Sequence, residues 1–196
     1  MPKFNQRAFL KEVNKSLNSK EMKNEAYKIV QNKVEEADRK MIQNFESHPV
    51  TRELDAGPDS GNLSGTLGGY GNLFSFIGFE RGSNPTDIVR NFLRSGTRVH
   101  RNPRVVSNPN FVEMTFKIKS VNVDQLESMT PSPWEGRSWL RSLERGMTGL
   151  GYYIFEKSDK SRSGSAYQSS NKIRSFVFKP IKYMSSIMEK FNKDLV

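Results

Sequence analysis

Residues 21–45 read EMKNEAYKIVQNKVEEADRKMIQNF, and apolar side chains recur through this stretch at intervals of three and four residues. This spacing places the apolar side chains on one stripe of a single long helix, with polar residues on the other faces. At ~1.5 Å per residue the helix would be roughly 37 Å long, which is more than a small core can cover. The stripe is therefore predicted to pack against a sheet or against other copies of the chain, through Met22, Ile29, Val30, Val34, Met41 and Phe45.

The segments on either side of this helix are also informative. Residues 1–46 are predicted to form a helical N-terminal part, with a short first helix before the long one, and Pro49 ends the long helix because a residue before proline is disfavoured in helical backbone. Residues 55–72 are rich in glycine and are predicted to form a loop that becomes ordered on assembly. The loop lacks the lysine of a phosphate-binding loop, so nucleotide binding is not expected. Its candidate assembly positions are Gly65, Gly68, Gly69 and Gly71.

The remainder, residues 73–182, is predicted to form a small, mostly antiparallel sheet with one or two further helices. Expected strands lie at residues 73–79 and 111–119, and expected helices begin at the N-caps Asn84 and Ser132. Two more strands, at residues 152–156 and 173–179, should pair as a hairpin with a flexible tip at 157–172. Residues 183–196 form a last predicted helix. The sequence thus predicts a single α+β domain over residues 1–196, in which the long amphipathic helix packs on the sheet.

Positive charge is concentrated toward the end of the chain. The formal net charge is +10, and residues 157–196 hold nine basic and three acidic side chains. Arg90 and Arg94 are expected to form one exposed stripe, and the arginines of the following helix another, because a spacing of four residues keeps side chains on one helix face. A basic excess favours polyanions or an acidic partner surface. The candidate contacts are Arg137, Arg141, Arg145, Lys172, Arg174 and Lys179.

Composition leaves little room for catalysis. The chain has no cysteine and only two histidines, neither of which has a carboxylate partner nearby in the sequence. Thiolate chemistry and multi-histidine metal sites are therefore not expected, and no catalytic constellation can be recognised. We expect a non-enzymatic protein with no cofactor and no bound metal. No apolar run reaches the ~20 residues that span a membrane, and only 35% of the residues are hydrophobic, so a partner is expected to complete the core.

Three stretches carry a family resemblance: FESHPVTRE at residues 45–53, Gly57, and NLSGTLGGYGNLFSFIGF at residues 62–79. They resemble virion structural proteins of tailed bacteriophages, in particular the small neck, or tail-completion, proteins of the head–tail junction. The specific similarity covers about residues 45–79. Elsewhere only the element order is similar: a long N-terminal helix, a glycine-rich loop and a small antiparallel sheet with a further helix. The resemblance implies no catalytic residue.

The resemblance implies a structural protein that is made in the host cytoplasm and resides in the virion. It implies a ring of identical subunits around the DNA channel, joining the portal or its adaptor to the tail, with non-specific DNA contact and no membrane. Two alternatives stay open: a tail terminator or other tail-side protein of the same particle, and a sequence-nonspecific nucleic-acid-binding protein that uses the arginine stripes and the basic C-terminal region.

Overall fold

The computed structural model describes residues 6–108, 111–133, 136–174 and 178–195. Within these ranges the chain forms eight α-helices and three two-stranded antiparallel sheets. The α+β class is confirmed at this level, and the long helix is present as α2 (Lys20–Ser47), preceded by a separate helix α1 (Gln6–Leu17). The strands of the described residues form three separate ribbons, where the sequence predicted one small sheet.

The chain divides into two compact units. The first holds residues 1–39 and 96–121, and the second holds residues 40–95 and 122–194. Helix α2 therefore supplies its first part to one unit and its last part to the other. The single domain over residues 1–196 stays a prediction.

The first unit combines α1 and the first part of α2 with two β-ribbons. Strand β1 (Arg98–Val99) pairs with β4 (Ile118–Lys119), and β2 (Arg104–Asn108) pairs with β3 (Phe111–Thr115). The single strand predicted at residues 111–119 is thus two strands with different partners. The alternation of the sequence persists through the break at Phe116 and Lys117, so it could not reveal the change of partner.

The second unit carries most of the buried apolar residues. Its core is rich in aromatic rings: Phe79 meets Trp139 edge-on at a centroid distance of 5.9 Å, and Phe76 meets Tyr153 at 5.3 Å. Such edge-to-face pairs stabilise a core beyond their buried area. The elements around this core are the end of α2, then α3 (Pro49–Asp55), α4 (Leu73–Ile77), α5 (Thr86–Arg94), α6 (Val123–Ser128), α7 (Trp139–Arg145), β5 (Tyr153–Ile154), β6 (Tyr167–Gln168) and α8 (Met184–Leu195).

The strand predicted at residues 73–79 is wrong, because this stretch forms helix α4. The Oδ1 of Asn72 caps the helix by accepting a hydrogen bond from the Ser75 N–H, and Gly78 ends it in the left-handed region at φ +85°. All five residues of α4 are buried. A short segment that is buried on every side shows no helical periodicity, which explains why it was taken for a strand.

Two predicted helix starts are displaced. Helix α5 has Pro85 as its N-cap, one residue after the predicted Asn84. Helix α7 begins at Trp139 with Ser138 as N-cap, whose Oγ accepts from the Arg141 N–H at 3.1 Å, so the start at Ser132 is wrong. Residues 134–135 of the predicted capping box lie outside the described residues. Several N-cap candidates precede this apolar segment, and local sequence does not rank them.

The predicted hairpin also pairs differently. Strand β5 pairs with β6, which lies inside residues 157–172, and the described part of residues 173–179 forms no strand, while residues 175–177 lie outside the described ranges. Ser163, Ser165 and Ala166 are buried in the second unit. The serine-rich segment therefore contributes to the core because its serines find hydrogen-bond partners there. Ser165 Oγ lies 2.9 Å from Ser75 Oγ. The boundaries predicted for α2 and for the C-terminal helix agree closely with the structure.

Candidate functional site

An exposed apolar surface lies on the first part of α2. Met22 is 41% exposed and Ile29 is 69% exposed, while Val30 is half-buried. Separations of seven and eight residues place the three side chains on one side of the helix. We call Met22, Ile29 and Val30 the α2 apolar face. Phe9 of α1 is also 51% exposed, so the first unit presents large apolar groups to water.

The first unit has a thin core. Among its described residues, Val34 and Ala37 are the buried apolar side chains. Two apolar residues of its ribbons, Val106 and Ile118, are themselves more than one-third exposed. Units of this size bury a smaller share of their surface on folding and are correspondingly marginal in stability. The α2 apolar face is therefore apolar surface that the packing of this unit leaves uncovered.

The remaining predicted interface residues lie inside the chain. Val34, Met41 and Phe45 are each at least 97% buried. The ring of Phe45 is stacked against the Tyr183 ring at a centroid distance of 6.2 Å. The Arg90 guanidinium lies over the Phe45 ring, 5.7 Å from its centre. Their apolar surface is already covered, so they offer nothing to a neighbouring subunit. The predicted stripe consequently divides into an exposed part and a core part.

The four candidate glycines of the assembly loop, Gly65, Gly68, Gly69 and Gly71, all have positive φ. The backbone at Gly71 also lies close to the Tyr153 side chain: a Cβ at this position would be 2.6 Å from the Tyr153 hydroxyl oxygen. The backbone here therefore requires glycine for space as well as for conformation.

A buried carboxylate anchors the glycine-rich loop to α3. Glu53 is fully buried, and its two carboxylate oxygens accept hydrogen bonds of 2.7 Å from the N–H groups of Ser64 and Leu73. The side-chain amide of Asn72 donates to the carbonyl oxygens of Pro58 and Ser60 at 2.7 and 2.9 Å. The loop is thus tied down near both ends. Sequence reasoning did not single out Glu53, because nothing in the sequence distinguishes a buried glutamate from a solvated one.

Three arginines lie together, although only Arg141 and Arg145 share a face of α7 as predicted, because Arg137 precedes the helix. Arg137, Arg141 and Arg145 line a groove of about 540 Å³, which we call the α7 groove. Two carboxylates, Asp124 and Glu127, line the same groove, and Glu127 Oε2 lies 3.7 Å from Arg141 Nε. The acidic residues offset much of the positive charge. This groove suits a partner of mixed charge better than a pure polyanion.

The other predicted basic contacts do not line the α7 groove. The Arg174 guanidinium stacks on the Tyr70 ring at 3.7 Å, while the backbone N–H of Lys179 donates to the Thr66 carbonyl at 3.2 Å. Lys172 is exposed, and its side chain passes close to Gly151, where a Cβ would lie 3.0 Å from the Lys172 Cγ and Cε. These three residues therefore do not form one surface with the α7 arginines.

The exposed stripe predicted for Arg90 and Arg94 is wrong. The Arg90 side chain is only 16% exposed and pairs with Glu46, Asp55 and Asp87. Its hydrogen bond to Glu46 raises the pKa of Arg90 and lowers the pKa of Glu46, in each case against the opposing effect of burial. Arg94 lies 3.7 Å from the same Glu46. Carboxylates from α2, α3 and α5 hold this arginine pair. The sequence could not show the contacts with Glu46 and Asp55, because these two residues are distant from Arg90 along the chain.

A basic surface that was not predicted lies on the β1–β4 ribbon. Arg98 and Lys119 are directly opposite each other, and the His100 N–H donates to the Lys117 carbonyl at 2.8 Å, which continues the same register. All four side chains are exposed. We call Arg98, His100, Lys117 and Lys119 the basic face. Lysines at alternate positions were visible in the sequence, but their pairing with Arg98 needed the fold.

His48 has a structural role. Its Nδ1 accepts a hydrogen bond from the Val50 N–H at 3.2 Å and so caps α3, and its ring lies 4.7 Å from the Tyr183 ring. Burial, assisted by the charge of Lys190, lowers the pKa of His48. In the described part of the chain, no group of three His, Cys, Asp or Glu side chains could hold a metal ion. No helix among the same residues is both long and apolar enough to cross a membrane.

Comparisons with protein-family models, with curated proteins and with solved structures gave no match to this chain.

Proposed function

We propose that this chain is a structural protein of a tailed-phage virion and forms part of the neck, as a connector or tail-completion ring between the portal and the tail. The proposal joins two separate supports. The resemblance of residues 45–79 supplies the class of protein, and the uncovered apolar surface of the first unit supplies a physical reason for assembly.

The α2 apolar face carries the assembly part of the proposal. Ile29 is 69% exposed in the middle of a helix, where burial of such a side chain would stabilise an interface by about 1.5–3 kcal/mol. The charged residues around it, Lys28 and Glu25, pair with each other at 2.7 Å. Identical subunits that pack head-to-tail bury this face once per subunit, and the repeated contact closes a ring when the rotation allows.

In this proposal the remaining surfaces contact other layers of the particle. The α7 groove, with both arginines and carboxylates, suits a neighbouring portal, adaptor or tail protein. The glycines between the anchored ends of the loop allow backbone adjustment where two rings of different symmetry meet. The final position of the protein is the virion neck, around the DNA channel.

Electron microscopy of intact particles tests this proposal. Virions that carry a labelled copy of the chain should show the label as a ring between head and tail. Absence of the chain from purified particles would overturn the proposal. Label at the far end of the tail tube would favour the tail-side alternative instead.

A further inference from the structure

We propose that the basic face of the β1–β4 ribbon binds the phosphodiester backbone of duplex DNA, without reading its sequence. This inference concerns the isolated chain and is separate from the ring: a chain that assembles but does not bind DNA would refute it and leave the neck proposal intact.

The register of the ribbon concentrates positive charge on one side. Residues directly opposite in an antiparallel pair project to the same face, so Arg98 and Lys119 are neighbours. The hydrogen bond from His100 to Lys117 continues the register, and positions two apart on a strand share a face, which adds both residues to the same surface. Like charges placed directly opposite each other destabilise a sheet. A bound anion would remove that repulsion.

The other side of the ribbon is directed toward α2. Phe116 packs against Tyr27 with ring centroids 6.3 Å apart, and the Arg101 guanidinium lies 5.7 Å from the centre of the same Tyr27 ring. Ile118 and Val99, which alternate with the basic residues, form a pair on this side. Because the ribbon packs on the helix through this side, its basic face is left to solvent.

No carboxylate neutralises the basic face in the described structure. The ion pairs found among the described residues do not involve Arg98, Lys117 or Lys119. Two acidic side chains of the first unit have other partners: Asp38 accepts from the Thr97 hydroxyl at 2.7 Å, and Glu113 accepts from the Thr115 hydroxyl at 3.4 Å. The face therefore differs from the α7 groove, where Asp124 and Glu127 stand among the arginines.

The spacing of these charges fits a dense, regular polyanion. Residues two apart on a strand lie ~6.6–6.8 Å apart, and opposite strands add a second row at ~4.5–5.5 Å, so several phosphates can be contacted together. We expect the charged groups of Arg98, Lys117 and Lys119 to contact phosphate oxygens, which are the same at every base pair. Contacts of this kind carry affinity through counterion release and give no sequence preference.

Fluorescence anisotropy with labelled duplexes of two unrelated sequences tests the inference. The full chain should bind both equally at ~50 mM salt and lose affinity steeply toward ~200 mM. The variant R98Q/K117Q/K119Q should bind more weakly, and the slope of log affinity against log salt should fall in magnitude by about 2–3, at ~0.9 per phosphate contact.

A charge-matched control separates the basic face from overall charge. K11Q/K15Q/K20Q removes three exposed lysines from the same unit and should keep most of the affinity and the slope. Circular dichroism should show that R98Q/K117Q/K119Q melts no lower than the parent, because like-charge repulsion has been removed. Three results would overturn the inference: no binding at ~50 mM salt, equal loss in both variants, or displacement of DNA by poly-L-glutamate at equal charge concentration. The last result would indicate an acidic protein partner.

Discussion

At the scale of single residues, the most constrained side chain is Glu53. A carboxylate that is fully buried is costly to desolvate unless its oxygens accept hydrogen bonds, and here two backbone N–H groups donate to it. These donors belong to Ser64 and Leu73, one inside the glycine-rich loop and one at the start of α4. The Glu53 side chain thus joins α3 to the glycine-rich loop and to α4.

Replacement of Glu53 by glutamine tests this arrangement. The amide keeps one acceptor oxygen but sets an NH₂ group against a backbone donor, so Glu53→Gln should lower the free energy of unfolding by about 1–3 kcal/mol. Urea denaturation measures the loss. The same change at the exposed Glu80 should have little effect, and equal stability of the two variants would contradict the anchoring role.

His48 makes folding sensitive to pH. Burial lowers its pKa below the ordinary value of 6.5, so the unfolded chain takes up a proton at a higher pH than the folded chain does. The stability contributed by neutral His48 is complete above about pH 6.5 and is lost as the pH falls through that value toward the lower pKa of the folded state.

His48→Asn should keep the helix cap and remove this titration, because asparagine is a good N-cap residue. The free energy of unfolding of the variant should therefore change less between about pH 7 and pH 5 than that of the parent, as measured by denaturation at several pH values. His100→Asn, at an exposed position, serves as the control. A parental pH dependence in His48→Asn would show that another group is responsible.

At the scale of elements, α4 and the loop before it depend on Gly71. This residue has φ +74°, and a Cβ would meet the Tyr153 ring and hydroxyl at 2.6–3.0 Å. Gly71→Ala should cost more stability than Gly68→Ala, because Gly68 has a similar φ of +61° but open space around it.

Left-handed backbone alone costs about 1–2 kcal/mol for alanine, so this loss is expected at Gly68 and a larger one at Gly71. Thermal melting of both variants gives the comparison. If the two losses are the same, the contact with Tyr153 adds nothing to the requirement for glycine.

The elements also show what the sequence could and could not predict. Helix α2 was predicted closely because it is long and has a polar side, which gives a periodic pattern. Helix α4 was missed because every residue in it is buried, and the pairing of β5 with β6 was missed because the serines of residues 157–172 are buried through hydrogen bonds. A periodic sequence pattern arises where one side of an element is exposed to solvent and the other is buried. Helix α4 and the buried serines have little exposed surface, so no such pattern marks them.

The charged surfaces follow the same rule. Arg141 and Arg145 share a face of α7, as helical spacing predicted, whereas Arg137 precedes the helix and reaches the same groove only through the fold. Neutralisation of Arg90 by Glu46 and the opposition of Arg98 and Lys119 both depend on long-range pairing. Spacing in the sequence therefore locates charges on one element but not their partners on another.

At the scale of the whole molecule, the two units are unequal. The second unit buries an aromatic core, and its stability should depend on the chain alone. The first unit buries few apolar residues and exposes the α2 apolar face, so contact with other copies is expected to complete it.

This difference predicts an assembly that one exposed side chain controls. Ile29→Glu places charge in the subunit contact and removes little packing within the chain itself, because the side chain is 69% exposed. The control Ile173→Glu makes the same change at a side chain that is 50% exposed in the second unit. It should not alter assembly.

Light scattering coupled to size-exclusion chromatography measures the mass of each protein in solution. The parent and Ile173→Glu should elute as a closed assembly whose mass is a multiple of the 22.5 kDa chain, and Ile29→Glu should elute as a monomer. A parent that stays at 22.5 kDa at high concentration, or an Ile29→Glu variant that assembles as the parent does, would contradict the proposal that the α2 apolar face joins identical subunits.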